Sequence, residues 1–234
     1  MGGGLLLAMD TAGERCSAAV LRLDDGAFLS VVDPVIGRGH AEVLMGTVAE
    51  AMRAAGAAWS DVGKLGVGIG PGSFTGIRVA VAAARGFELS LDVPSVGVTT
   101  LEAQAEPFWS EGPVLAVHDA KRGEVYAALF GIGGAVLVEP QAMAPDALPA
   151  LAARAPGALR LVGSGSAIVA DAMGFDAGRI AGSEGCAPIR ALARIAAGRA
   201  VSAPPLPLYL RGADAKAQVP SGLRGARGIG TVNP

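Results

Sequence analysis

The stretch GPGSFTGIR, residues 70–78, comes closest in this chain to the residue types and spacing of a ligand-holding loop. A strand that enters a glycine-rich turn and leaves as a helix presents unpaired backbone N–H groups at the helix N-terminus, where the macrodipole favours an anion. Gly70, Gly72, Ser73, Thr75, Gly76 and Arg78 are therefore candidates for a phosphate loop. The pattern lacks the lysine of G-x-x-x-x-G-K-[ST] and does not fit G-x-G-x-x-G. It is not a nucleophile elbow either, because Gly72 directly precedes Ser73 where G-x-S-x-G needs an intervening residue. The structural alternative is that Gly70 and Gly72 supply turn dihedrals while Ser73 or Thr75 caps the helix.

The ionisable candidates point to turns before they point to catalysis. Asp10 and Asp119 each close an apolar stretch and open a short polar turn, a place where aspartate caps its own backbone. His40 and His118 are the only histidines, and their separation excludes an H-x-x-x-H metal pair on one helix. His118 beside Asp119 could be a base and its orienter, but neighbours on a strand point to opposite faces. His40 reads as a polar first-turn residue. Cys16 and Cys186 form no CxxC or Cys/His cluster, so neither a disulfide framework nor zinc is indicated, and a reducing cytoplasm is expected.

These residues need elements to hold them. With 234 residues, 51% of them apolar, the chain can bury a large core as one domain or two small ones. A net charge of -2 argues against a basic nucleic-acid grip, and no uncharged apolar run nears the roughly 18 residues of a membrane span. A soluble chain is expected. LLLAMDTAGERCSAAVL (5–21) and VLAVHDAKRGEVYAALF (114–130) both read as strand, aspartate, polar turn, strand, and at one offset Ala18 meets Ala127. LGVGIGPGS (65–73) and LRLVGSGS (159–166) follow in the same order, each a strand and then GxGS, which brings Gly165 into register with the first loop. The pairs suggest duplication of one α/β unit.

The first unit, 1–110, reads as strands near 5–10, 15–22, 27–32, 65–69 and 95–98, with helices near 39–56, 76–90 and 99–107. The second, 111–211, reads as strands near 114–119, 124–131 and 135–138 with helical stretches near 145–154, 165–173 and 188–199. The segment 212–234 reads as a flexible tail. On the first long helix, Val43, Leu44, Thr47, Val48, Ala51, Met52 and Ala55 share one wide face. On the second, Arg78, Arg85 and Asp92 recur every seven residues with little else polar, so more than one side should be covered, by its own fold or by another subunit. Gly46, Ala80, Ala84 and Gly86 are small enough to let a neighbour approach closely.

LLAMDT (6–11), CSAAV (16–20), His40, DAKRGEVY (119–126), PLYLR (207–211) and above all GPGSFTGIR resemble the bacterial TsaB family of tRNA threonylcarbamoyladenosine biosynthesis. The resemblance covers roughly residues 5–211, with Met9 where isoleucine is expected. It implies an α/β fold of two duplicated actin/Hsp70/sugar-kinase-like domains with mixed sheets. It further implies a subunit without intrinsic catalysis, metal or tightly held cofactor, which pairs with a TsaD-like catalytic subunit and a TsaE-like ATPase and touches tRNA weakly or indirectly. The implied interface is His40, Val43, Leu44, Thr47, Val48, Ala51 and Met52 with Ala80, Ala84 and Phe87, and the same helices would form a homodimer when the chain is alone. A weak ATP or ADP site between the domains, near Asp10, Gly72 and Gly165, stays open. So does the alternative of an independent ATP-dependent enzyme of this fold.

Overall fold

The computed structural model describes residues 4–211; the segment expected to be a flexible tail lies outside the described residues. Two mixed sheets form the framework. The first contains β1 (Leu5–Asp10), β2 (Ser17–Arg22), β3 (Phe28–Val32), β4 (Val62–Gly68) and β5 (Ser95–Val98), ordered β3-β2-β1-β4-β5. The second contains β6 (Val114–Lys121), β7 (Glu124–Phe130), β8 (Val136–Met143), β9 (Arg160–Val162) and β10 (Ile180–Gly182), ordered β8-β7-β6-β9-β10. In both sheets the first three strands pair antiparallel, and the first strand then pairs in parallel with the fourth and the fourth with the fifth. The two sheets thus share strand order and direction. In detail, Met9 faces Ala18 and His118 faces Tyr126, so Tyr126, not Ala127, takes the place of Ala18. The three-residue β10 was not foreseen, because so short a strand carries no alternation to read.

Among the described residues six α-helices cover the sheets: α1 (His40–Ala54), α2 (Phe74–Leu91), α3 (Thr100–Ala105), α4 (Leu148–Ala152), α5 (Ser166–Met173) and α6 (Ile189–Gly198). Every residue of β1 is buried, as happens where both faces of a sheet are covered. Leu5, Leu7 and Met9 face α1 and α2, in one cluster with Val48, Ala51, Ile77 and Ala84. The alternate residues Leu6 and Ala8 face the other way, against Ile189, Leu192 and Ala196 of α6. Helix α6 follows the strands of the second sheet in sequence yet packs on the first. The reverse holds for α3, which puts Leu101 and Ala105 against Val114, Ala116, Ala128 and Phe130 of the second sheet. Helices α4 and α5 cover the remaining face with Leu148, Leu151 and Val169.

The two exchanged helices also meet each other. Arg194 of α6 donates both Nε and Nη2 to Glu106, just past α3, at 2.6 Å each. Arg199 donates to Glu102 at 2.5 Å and to the Gly97 carbonyl at 2.6 Å, while Glu102 accepts from the Thr99 amide at 2.8 Å and so caps α3. At Gly66 a Cβ would stand 2.7 Å from that of Ala196, so the small residues of β4 and α6 permit the close approach.

The outer helices correct one expectation. Leu44, Thr47, Val48, Ala51 and Met52 of α1 and Ala80 and Ala84 of α2 are buried in the chain's own core, so they do not face a partner. Their stripe is the side that packs on the first sheet; periodicity locates an apolar face without saying what covers it. Val43, His40 and Phe87 are half-buried. No helix among the described residues is long and apolar enough to cross a membrane. Val48→Glu combined with Ala84→Glu places two unpaired carboxylates in that core and is expected to abolish folding, where a partner-facing pair would leave a folded monomer. Far-UV circular dichroism of the double variant decides between the two.

Candidate functional site

Strand β1 ends on Asp10, and Asp119 stands two residues before the end of β6, where the strand register shifts. Asp10 Oδ1 accepts from the Ala12 amide at 3.3 Å and Asp119 Oδ1 from the Lys121 amide at 2.8 Å, the self-capping turn expected of both. Their surroundings set them apart. Asp10 is 1% exposed, and burial pushes its carboxyl from 3.8 up to about 6, although the amides of Ala12 and Thr11 pull the other way. Its Oδ1 fills the space that a Cβ at Gly68 would occupy. Asp119 is more open; the Lys121 ammonium, 2.8 Å from Oδ2, holds its carboxyl below the usual carboxylate range.

The glycine loop is pressed onto the end of β1. Gly70 has φ 93°, a dihedral that favours glycine, and its carbonyl accepts from the Thr100 amide at 2.8 Å. Gly72 serves differently from the expectation: a Cβ there would overlap the Ala12 carbonyl, so close approach rather than a turn dihedral calls for glycine. A Cβ at Gly76 would likewise overlap the Thr11 carbonyl. The contacts are tight and mutual. The Ser73 amide donates to Ala12 O at 2.7 Å, Thr11 Oγ1 donates to Gly76 O at 2.6 Å, and the Gly76 amide donates to Ser73 Oγ at 3.2 Å. Ser73, not Thr75, caps α2, and the amides of Ser73 and Gly76 are engaged within the chain.

Between the two aspartate turns lies a cleft of about 640 Å³. Ser73, Thr75 and Gly76 line one wall with Arg38, His40 and Glu42; His118, Asp119, Lys121 and Ser164 line another, and Cys186 completes it. Asp10, Gly70, Gly72, Arg78 and Gly165 do not line the cleft. The Gly165 amide donates to Val117 O at 3.0 Å, and Arg78 turns outward to Tyr209. His118 and Asp119 both line the cleft although they are neighbours on a strand; the register of β6 shifts just past Asp119, and Lys121 has a positive φ. Burial pushes the His118 imidazole down from 6.5, and its Nδ1 lies 3.4 Å from Ser164 Oγ. His40 Nε2 is 3.2 Å from the Arg15 carbonyl at the start of α1. Arg38, Lys121 and Ser164 were not singled out in sequence, and Cys186 was weighed there only as a disulfide or zinc residue. Ser164 carried a signal as the serine ahead of Gly165 in the second GxGS string, and Lys121 as part of DAKRGEVY.

A family model described as TsaD, tRNA N6-adenosine threonylcarbamoyltransferase, matches residues 30–165, more than half of the chain. The chain is 36% identical over 128 residues to the tRNA threonylcarbamoyladenosine biosynthesis protein TsaB of Escherichia coli, covering 53% of this chain and 54% of that protein. It is 32% identical over 126 residues to TsaB of Bacillus subtilis, covering 53% and 54%. The chain thus spans about half the length of the curated relatives it matches. Among solved structures, an uncharacterized Pseudomonas aeruginosa protein with similarity to peptidase YeaZ superposes with TM-score 0.72 at 29% identity, over 90% of this chain and all of that one. YeaZ from Pseudomonas aeruginosa superposes with TM-score 0.67 at 26% identity, over 84% and 91%.

The buried Asp10 carboxyl gives the stability of the fold a pH signature. Its folded value of about 6 lies above the 3.8 of the unfolded chain, so its contribution to stability is complete below 3.8 and is lost as pH rises through 6. Asp10→Asn keeps the oxygen that accepts from Ala12 and removes the charge. Relative to the parent it should gain on the order of 2–3 kcal/mol between about pH 4 and about pH 7, read from urea unfolding at each pH.

Proposed function

The chain belongs to the tRNA N6-adenosine threonylcarbamoyltransferase (TsaD) family as a TsaB-like member, and on that premise we propose that it is a non-catalytic partner subunit in threonylcarbamoyl transfer to the adenosine beside the tRNA anticodon. In this role it pairs in the cytoplasm with a TsaD-like catalytic subunit, works with a TsaE-like ATPase, and contacts tRNA weakly or indirectly. Alone, it associates with a second copy through the same surface.

The observation that carries this proposal is the solvent side of α1 and α2. Met45 is 53% exposed and Leu89 is 89% exposed, and Gly46, Ala49, Ala82 and Gly86 on the same two helices are exposed as well. Beyond the adjoining residues and backbone of its own helix, nothing lies within 4 Å of where a Cβ at Gly46 or Gly86 would stand, so packing within the chain does not call for glycine at either position. Apolar and small residues that face water on adjacent helices suit a second pair of helices, since small contact residues shorten the interaxial distance. The partner-facing surface in this proposal is therefore the outer side of the two helices, with the half-buried His40, Val43 and Phe87 as the residues of the expected set that retain some exposure.

A second proposal, an ATP-dependent enzyme with weakly bound nucleotide, draws support from the cleft at the start of α2. The engaged amides of Ser73 and Gly76 weigh against it, because a phosphate loop needs them free. Equilibrium ATP binding with magnesium separates the two: no binding at millimolar nucleotide removes the enzyme reading.

Partner function is tested with Ala49→Glu combined with Ala82→Glu, both on the exposed side. The variant should unfold at the parental temperature. Burying an uncompensated carboxylate costs about 2 kcal/mol or more, so its affinity for the catalytic subunit should fall about thirtyfold or more. Modified nucleoside should fall in step when tRNA, threonine, bicarbonate, ATP and the other pathway proteins are supplied. Full modification without this chain would overturn the proposed role.

A further inference from the structure

The strings GPGSFTGIR, DAKRGEVY and PLYLR lie far apart in sequence and meet at one place in the fold. From that meeting we propose that residues 205–211 form a latch, which ties the two halves of the chain together beside the cleft and lets the cleft open when it is released.

The segment leaves α6 and passes first over the half of the chain built on the first sheet. Pro205 is buried there, and a Cβ at Gly97 of β5 would stand 3.1 Å from its Cβ. The Leu208 amide donates to the Ile69 carbonyl, just past β4, at 2.9 Å. Tyr209 then caps the start of α2: its hydroxyl accepts from Arg78 Nε at 2.7 Å, its ring lies 5.2 Å from that of Phe74, and the Arg78 guanidinium sits 3.7 Å over the Phe74 ring. Two residues further on, Arg211 reaches the other half. It forms an ion pair with Glu124 at the start of β7 and donates to the Lys121 carbonyl at 3.4 Å. Ser73 and Thr75, the sequence neighbours of Phe74, line one wall of the cleft, and Lys121 lies on the opposite wall. The segment therefore runs from wall to wall, with Pro205 and Pro207 stiffening it between its anchors.

The contrast with the other connection between the halves makes this a latch. Helices α3 and α6 join the halves through buried, close-packed apolar side chains, reinforced by the Arg194–Glu106 and Arg199–Glu102 pairs. The polar and aromatic contacts of the latch are partly exposed: Phe74 is 52% and Tyr209 45% exposed, and the Arg211–Glu124 pair is half-buried, its side chains 25% and 44% exposed. Exposed ion pairs and cation–ring contacts are individually weak and screened by salt. One buried joint and one weak, partly exposed tie allow hinge motion about the joint with the tie setting the closed end. Any group that covers Phe74 and Arg78 on α2 competes with Tyr209 and so acts on the cleft. The latch itself does not depend on the partner role and is tested on the chain alone.

Nitroxide labels on cysteines placed at exposed Glu50 of α1 and Asp171 of α5 report the separation of the halves by pulsed electron resonance. The native Cys16 and Cys186 are buried, and mass spectrometry confirms that two labels are attached. Arg211→Glu should shift the distance distribution to longer values and broaden it, and adding Glu124→Arg to the same chain should restore the parental distribution. Should Arg211→Glu fail to fold, Tyr209→Phe, which removes only the hydroxyl reached by Arg78, takes its place and should give the same lengthening. An unchanged distribution in the folded single variant, or a reversed pair that fails to restore it, overturns the latch.

Discussion

The reciprocal exchange of α3 and α6 is the constraint on which the rest of the molecule depends. A sheet buried on one face only would leave Leu6, Ala8, Ala19 and Leu21 in water; a helix from beyond the second sheet covers them, while a helix that precedes it in sequence covers Val114, Ala116, Ala128 and Phe130. Neither half can bury its inner face without the other. The bidentate Arg194–Glu106 pair and the single Arg199–Glu102 bond add direction to this contact, because guanidinium–carboxylate geometry fixes the register of two helices that apolar packing alone would let slide. The cleft between the two aspartate turns exists because the exchange holds the ends of β1 and β6 beside each other.

Within that frame the glycine loop spends its hydrogen-bonding capacity on the protein. Close approach at Gly72 and Gly76 lets the loop lie against the end of β1, and the amides of Ser73 and Gly76 find partners there. The same glycines that make a loop look ready for phosphate also make it able to collapse onto a strand. Asp10 shares in this economy: accepting from Ala12, and filling the place left by Gly68, it sits in the core at a cost in desolvation that raises its carboxyl to about 6.

What faces outward follows from what is consumed inward. Once α1 and α2 have given Leu44, Val48, Ala51, Ala80 and Ala84 to the first sheet, their remaining sides carry small and apolar residues with no use inside the chain. That surface and the cleft meet at the start of α2, where Ser73, Thr75, Phe74 and Arg78 belong to one turn and a half of helix. Events at the outer surface and at the cleft therefore share a boundary.

Local sequence was sufficient for the elements that announce themselves by period or by turn chemistry. The twin strand–Asp–turn–strand strings, the GxGS loops and the long apolar stripes of α1 and α2 placed most strands and helices to within a few residues, because alternation, helical period and Asx turns act over a handful of neighbours. Sequence could not say which side of α1 meets the sheet, since an amphipathic stripe looks the same against a core or a partner. It could not foresee that α6 would leave its own half for the first sheet, nor that Arg38, Lys121 and Ser164 would share a cleft, because those are contacts between residues tens to more than a hundred positions apart. The sequence by itself determined the units; the tertiary structure decided which faces they give to each other, because burial is settled by what packs against a face and not by the residues that make it.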